Sequence, residues 1–348
     1  MGFDGHTIPG DLRRLAREFD LGGVTFFARN VDAAQQVADL SRESRDLAHE
    51  LPLWVSVDQE GGRVARLRTP FTRWPPMITL GRSGDERLAE RFARALAAEL
   101  KAVGISLDYA PVLDVLSNPR NPVIGDRALA DRADDVARLG TAIIRTLQEE
   151  GVAACGKHFP GHGDTATDSH HELPVIEHPP DRFEAVELVP FRAAIDANVA
   201  GIMTAHILIP ALDEDRPATL SRAVVDGLLK QKLGFGGIVF TDDMSMKAIS
   251  SRYGLGEATV LAIAAGCDSV LMCAPDQEAQ VDALEAVIHA AEAGRLSMTR
   301  VDDALARQRR MKERFLASAR DRRPAAPLHT IVGRDEHQAI ADEMARFA

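Results

Sequence analysis

Val152-Ala-Ala-Cys-Gly-Lys-His-Phe159 is an apolar run that turns cationic near its end and leads straight into Pro160-Gly-His-Gly-Asp164. A short apolar run followed by a glycine-bearing polar loop reads as a parallel strand delivering side chains to a site at its C-terminal end. Seven further runs have the same build, at 1–5, 23–28, 53–58, 105–114, 200–207, 237–242 and 268–273. The segments between them carry helical periodicity. In 85–103, Leu88, Phe92, Leu96 and Leu100 recur on one face, and in 134–149 Val136, Leu139, Ile143 and Leu147 do the same. Eight strand-like runs alternating with helices predict an α/β fold, a single (β/α)8 TIM-like barrel with extra C-terminal helices. A doubly wound sheet satisfies the same periodicity but gathers its polar residues at one switch point. Here Asp58, Asp114, Lys157 with His158, His206, and Asp242 with Asp243 lie at the ends of different runs, as barrel sites do. The first run starts at Met1, so the first strand is expected to be very short or clipped.

Beyond the eighth run, helices are predicted at 276–293, at 299–315 with Thr299 as N-cap, and at 333–347. An Arg, Ala and Pro rich connector at 318–327 separates the last two. The expected organisation is a barrel over 1–317, with a connector and short helix over 318–348 packed on it.

Composition narrows the function. The chain has 348 residues, 45% of them hydrophobic, enough to bury a sizeable core. A net charge of −11 argues against nucleic acid, whose phosphates need a basic surface. No stretch approaches the ~18 apolar residues of a membrane span, and the start lacks a signal-like apolar segment, so neither membrane attachment nor export is expected. Cys155, Cys267 and Cys273 form no disulfide pattern and read as thiols in a reducing compartment, the cytoplasm. Nothing points to an obligatory protein partner.

Five of the eleven histidines fall between His158 and His178, around the glycine-bearing loop that follows Lys157. Gly151 to Lys157 imitates a phosphate-binding loop, but His158 stands where a Ser or Thr is needed and 152–155 reads as strand. Asp242 and Asp243 close the run at 237–242, where two adjacent carboxylates are costly without partners. Asp243 is expected to cap the next helix, which leaves Asp242 pointing into the barrel mouth. Asp58 with Arg63 and Arg66, and Asp126 with Arg127, add charged groups suited to a neutral polyol such as a sugar. A divalent metal site built from His158, His162, Asp164, Asp168, His170, His171, His206, Asp242 and Asp243 is a rival, although no familiar ligand spacing is present.

Val57-Asp-Gln-Glu-Gly-Gly-Arg63, Ala110-Pro-Val-Leu-Asp-Val115, Ile124-Gly-Asp-Arg127, Lys157-His-Phe-Pro-Gly-His-Gly163, Asp168-Ser-His170 and Thr241-Asp-Asp-Met-Ser-Met246 follow one another along the chain. Together they resemble glycoside hydrolase family 3 in its β-N-acetylhexosaminidase branch. The resemblance implies a TIM-like barrel and a retaining displacement through a covalent glycosyl-enzyme. It makes Asp242 the nucleophile, His170 the acid/base and Asp168 its orienting partner. Asp58, Arg66, Arg127, Lys157 and His158 would hold the terminal sugar, and His206 would take a supporting or pocket role. No metal and no cofactor is implied, and the partner is a small-molecule glycoside, with cell-wall fragments as its source. A histidine with an ordinary pKa of ~6.5 suits a proton donor that must later act as a base. On its glycine-bearing loop, the acid is expected to be carried into place as the loop closes over substrate. A phosphorylase of the same family, a metal-dependent hydrolase and a non-catalytic sugar-binding barrel are the alternatives. Aromatics make up only 5% of the chain, which predicts a polar pocket for one terminal sugar rather than a stacking platform.

Overall fold

The computed structural model describes residues 1–48, 51–317 and 326–348. Among the described residues seven strands form one parallel sheet: β1 (Gly23–Phe26), β2 (Trp54–Val57), β3 (Leu107–Asp108), β4 (Ala153–Phe159), β5 (Gly201–Thr204), β6 (Ile238–Asp243) and β7 (Ser269–Leu271). Each pairs with the strand before it in the sequence. An order that never reverses has no switch point, which removes the doubly wound alternative. It also removes the phosphate-binding-loop imitation, since Ala153–Phe159 is continuous strand.

The run at 1–5 is not a strand. Met1 O accepts from Thr25 N at 3.0 Å and Gly2 N donates to Met272 O at 2.8 Å, so these two residues bridge β1 and the end of β7. A Cβ at Gly2 would lie 2.3 Å from the Cys273 carbonyl oxygen, so only glycine fits this approach. The next two carbonyls are taken by side chains, that of Gly2 by Gln280 Nε2 at 3.0 Å and that of Phe3 by Arg29 Nε at 2.9 Å and Asn30 Nδ2 at 3.0 Å, and no ladder continues. The run at 105–114 is also shorter than expected. Pro111 has no N–H to give a ladder, and beyond β3 only a single bridge from Val112 to Lys157 remains.

Helices pack outside the sheet through the faces the periodicity marked. Glu86–Ala102, with Asp85 capping Arg87 N and Leu88 N, buries Leu88, Phe92, Leu96 and Leu100. Ala133–Glu149 buries Val136, Leu139, Ile143 and Leu147. Helix Met298–Leu316 is capped by Ser297 rather than Thr299, because the Ser297 side chain accepts from Arg300 N. Its Met311, Phe315 and Leu316 join Trp54, Leu107, Ile238 and Leu271 in a second core inside the curl of the sheet. Trp54 Nε1 donates to Gln308 on the same helix at 3.1 Å.

The C-terminal helix Asp335–Ala345 packs on Glu86–Ala102 through Arg91–Glu343 at 2.8 Å and a buried His337–Glu99 contact at 2.9 Å. Most of the expected connector at 318–327 lies outside the described residues. No helix among the described residues is long and apolar enough to cross a membrane.

Candidate active site

At the C-terminal end of β2 the chain folds into a small hairpin, Gln59–Gly61 with Val64–Ala65. The Gln59 side chain staples it by accepting from Arg66 N at 2.8 Å and Leu67 N at 2.9 Å. Asp58 and Glu60, two apart, meet the same lysine, as side chains on one face of a strand do. Lys157 Nζ lies 2.8 Å from Asp58 Oδ1 and 2.6 Å from Glu60 Oε1. Arg66 Nη2 reaches the other Asp58 oxygen at 3.2 Å. Arg127 grips Glu60 with two hydrogen bonds, 2.9 and 2.8 Å. Burial pushes the Asp58 carboxyl up, but Lys157 and Arg66 outweigh it and hold it below its ordinary value. The same contest at Glu60, against Arg127 and Lys157, also ends well below the ordinary value.

Asp58, Arg66, Arg127 and Lys157 are therefore brought together, and the residue that joins them, Glu60, is one sequence reasoning missed. Its signal was present as a second carboxylate two positions after Asp58. Arg63 is structural: it ties the hairpin to Asp126 at 3.0 Å and to the Val123 carbonyl at 2.6 Å. Removing one partner of a buried ion cluster leaves the others uncompensated, so Glu60→Gln is expected to destabilise the fold by about 3–5 kcal/mol at neutral pH, read from denaturant midpoints. Glu60's pKa is depressed on folding, so its stabilisation is present above the unfolded carboxylate range and lost as pH falls through the folded value. The gap between wild type and variant should accordingly narrow in acid.

β4 carries the second group. The Lys157–His158 peptide is cis. Buried Asp114 accepts from His158 Nδ1 at 2.7 Å, from His158 N at 3.2 Å and from His162 N at 2.6 Å. A carboxylate only accepts, so Nδ1 of His158 is the protonated nitrogen and Nε2 is left for a ligand. Asp242, in β6, accepts from Asp243 N at 2.8 Å. Burial raises its pKa, but His158, His206, the Asp243 N–H and Lys157 together hold it below the ordinary value, so the carboxylate is ionised.

His206 is fully buried. Its Nε2 must donate to the Asp243 carbonyl at 3.1 Å, and its Nδ1 pairs with Thr219 Oγ1 at 2.8 Å. Both nitrogens are committed, and the ring props the backbone beside Asp242. Burial lowers its pKa. Asp243 does not cap a helix. Its Oδ1 accepts from Ser245 N at 3.1 Å and from Cys273 N at 3.0 Å, binding the β6 end to the residues after β7, and the next helix starts only at Lys247.

The loop after β4 holds the third group. Asp168 Oδ1 accepts from both His170 N and His170 Nδ1, each at 2.8 Å. Burial opposes ionisation of Asp168, but these bonds lower its pKa. The His170 side chain is 59% exposed, with Nε2 directed to no protein partner among the described residues. The rival metal set is dispersed. His158, His162 and His206 spend ring nitrogens on Asp114, Thr165, Ser169, Thr219 and the Asp243 carbonyl. Among the described residues no three His, Cys, Asp or Glu are grouped to hold an ion.

A family profile described as "Glycosyl hydrolase family 3 N terminal domain" matches residues 8–311. The chain belongs to glycoside hydrolase family 3. Within the family it is 34% identical to beta-hexosaminidase A of Pseudoalteromonas piscicida, over 98% of this chain and 61% of that protein. It is 42% identical to a beta-hexosaminidase of Thiobacillus denitrificans over 76% and 74% of the two chains. Among solved structures it superposes on a family 3 beta-N-acetylglucosaminidase from Paenibacillus sp. at TM-score 0.94 and 43% identity, covering 99% of this chain and 66% of that one. NagZ from Neisseria gonorrhoeae, in complex with N-trifluoroacetyl-D-glucosamine, matches at TM-score 0.81 and 30% identity over 100% and 96%. The chain thus spans under two thirds of the Pseudoalteromonas and Paenibacillus proteins.

Proposed function

We propose that this family 3 chain is a retaining exo-β-N-acetylhexosaminidase that removes terminal β-linked N-acetylglucosamine, with muropeptide fragments of the cell wall as substrate. The observation that carries the reading is the histidine–carboxylate dyad, His170 Nδ1 on Asp168 Oδ1 at 2.8 Å, mounted on the loop that continues from the same strand as Lys157, with Asp242 at the end of β6 held below its ordinary pKa by His158, His206 and Lys157. The names of the relatives, beta-hexosaminidases and a NagZ holding an N-acylglucosamine analogue, support the substrate class.

In the first step a carboxylate oxygen of Asp242 attacks the anomeric carbon while His170 gives its Nε2 proton to the departing oxygen. Asp168 takes the Nδ1–H, which fixes Nε2 as the exchanging nitrogen and stabilises the imidazolium. In the second step His170 accepts a proton from water, whose oxygen attacks the glycosyl-aspartate from the face the aglycone left, so configuration is retained. Asp58, Arg66, Arg127, Lys157 and His158 hold the sugar hydroxyls, Arg127 through a guanidinium already fixed by Glu60.

The proposal includes the complete barrel: Met1 and Gly2, bonded to both edges of the sheet, serve as its eighth stave. Residues 1–317 form the catalytic unit and the helix within 318–348 buttresses it. Unpaired Cys155, Cys267 and Cys273 suit a cytoplasmic setting.

Turnover of an aryl N-acetyl-β-glucosaminide tests the reading. Free N-acetylglucosamine should appear first as the β-anomer, at a rate indifferent to inorganic phosphate and to chelators. Acceleration by phosphate with release of a sugar 1-phosphate would make it a phosphorylase, and loss on chelation a metal enzyme.

A further inference from the structure

Between Ala166 and Glu172 the loop that carries the acid/base dyad is exposed or half-buried at every position but one: Ser169, between Asp168 and His170, is only 1% exposed. A buried hydroxyl in an otherwise solvated loop is costly unless it is bonded. Ser169 Oγ pairs with Nε2 of His162 at 3.1 Å, and the Ser169 carbonyl accepts from Ala248 N at 3.2 Å.

Both anchors are themselves fixed. His162 is buried, with Nδ1 on Thr165 Oγ1 at 2.8 Å and its backbone N on Asp114 at 2.6 Å. Asn121 braces the same turn by donating to the His162 carbonyl at 2.8 Å and to Thr165 Oγ1 at 3.1 Å. Burial drops the His162 pKa to about 4, so the ring is neutral near pH 7; the Thr165 hydroxyl donates to the His162 carbonyl, so Nδ1 is the donor to Thr165 Oγ1 and Nε2 accepts from Ser169 Oγ. Ala248 lies in the short helix Lys247–Ser250, five residues beyond Asp243 at the end of β6.

We propose that Ser169, bolted by its hydroxyl to His162 and by its carbonyl to Ala248, is the positioning residue that sets the height of the Asp168–His170 dyad over Asp242. The inference rests on the glycosidase reading above. One anchor belongs to the root of the loop after β4, where Asp114 also fixes His158. The other belongs to the segment after β6, which carries Asp242. Residue 169 therefore ties the acid/base to the strand of the nucleophile, and Asp168 and His170 each emerge one Cα step, about 3.8 Å, from the fixed point. Retaining chemistry needs donor and nucleophile roughly 5–5.5 Å apart, and a misplacement of about 1 Å costs on the order of 100-fold. The His162 of the glycine-bearing motif, which the reaction itself does not use, gains a task here.

The test compares Ser169→Ala, His162→Gln, His162→Leu and His170→Ala on aryl N-acetyl-β-glucosaminides whose leaving groups range from dinitrophenol to phenol, with thermal midpoints in parallel. A misaimed acid matters only where the leaving oxygen needs a proton. Ser169→Ala should lose roughly 10- to 100-fold in kcat/KM on the phenyl substrate and stay within about 3-fold on the dinitrophenyl one, with a thermal midpoint near wild type. His162→Gln, whose amide can still meet the Ser169 hydroxyl, should recover activity that His162→Leu lacks. An equal loss across leaving groups, or none, in Ser169→Ala overturns the positioning role while His170→Ala still shows the leaving-group dependence. If His170→Ala shows no such dependence, the glycosidase reading fails and the positioning role falls with it.

Discussion

Asp242→Ala is expected to lower kcat by roughly four orders of magnitude or more for every leaving group, because in the proposed mechanism both chemical steps pass through a bond to its carboxylate. The surroundings suit this carboxylate to the proposed role. Desolvation pushes its pKa up, while neighbouring His158, His206 and Lys157 and the hydrogen bond from Asp243 N outweigh that and hold it below the ordinary value. Asp243 cannot substitute, since its oxygens are spent on Ser245 N, Ser245 Oγ and Cys273 N. Adding azide to the alanine variant should restore turnover of an activated substrate with an inverted glycosyl azide as product, measured by NMR. A variant that kept wild-type kcat would remove Asp242 from the chemistry.

His170→Ala should behave differently. On a substrate with a poor leaving group, the loss of general acid assistance is expected to cost about 10²- to 10⁴-fold in kcat/KM. A dinitrophenyl leaving group departs without protonation, so there the first step should be largely spared. Deglycosylation still needs a base, so the intermediate should accumulate and a pre-steady-state burst of phenol should appear. Asp168→Asn should show the same pattern more weakly, because an amide can still orient the ring but does not stabilise the imidazolium. Stopped-flow release of the phenol checks both.

The sheet was largely legible because parallel strands buried on both faces leave continuous apolar runs, and seven of the eight runs are strands. The exception, 1–5, looks alike in composition, but its carbonyl at Phe3 is captured by Arg29 and Asn30, which no local pattern reveals. The site divided in the same way. Residues ending strands, such as Asp58, Lys157 and Asp242, were readable from position. Glu60 was readable only as a second carboxylate two positions after Asp58, and the fold alone sets Arg127 and Lys157 against it. Asp243 was misassigned because an aspartate before a helical segment resembles a cap, and its real partner, Cys273 N, is thirty residues away. Ser169 stands within the Asp168-Ser-His170 motif, but nothing in the sequence marks it as buried, since its burial depends on His162 and Ala248 meeting it from two sides.

The most direct test of the account is to trap the intermediate with a fluorinated N-acetylglucosaminyl donor that forms the glycosyl-enzyme quickly and hydrolyses slowly. Peptide mapping by mass spectrometry should then place one sugar on Asp242, within the segment Thr241-Asp-Asp-Met-Ser-Met246. A sugar on Asp243, or turnover that inverts configuration with no adduct at all, would contradict it.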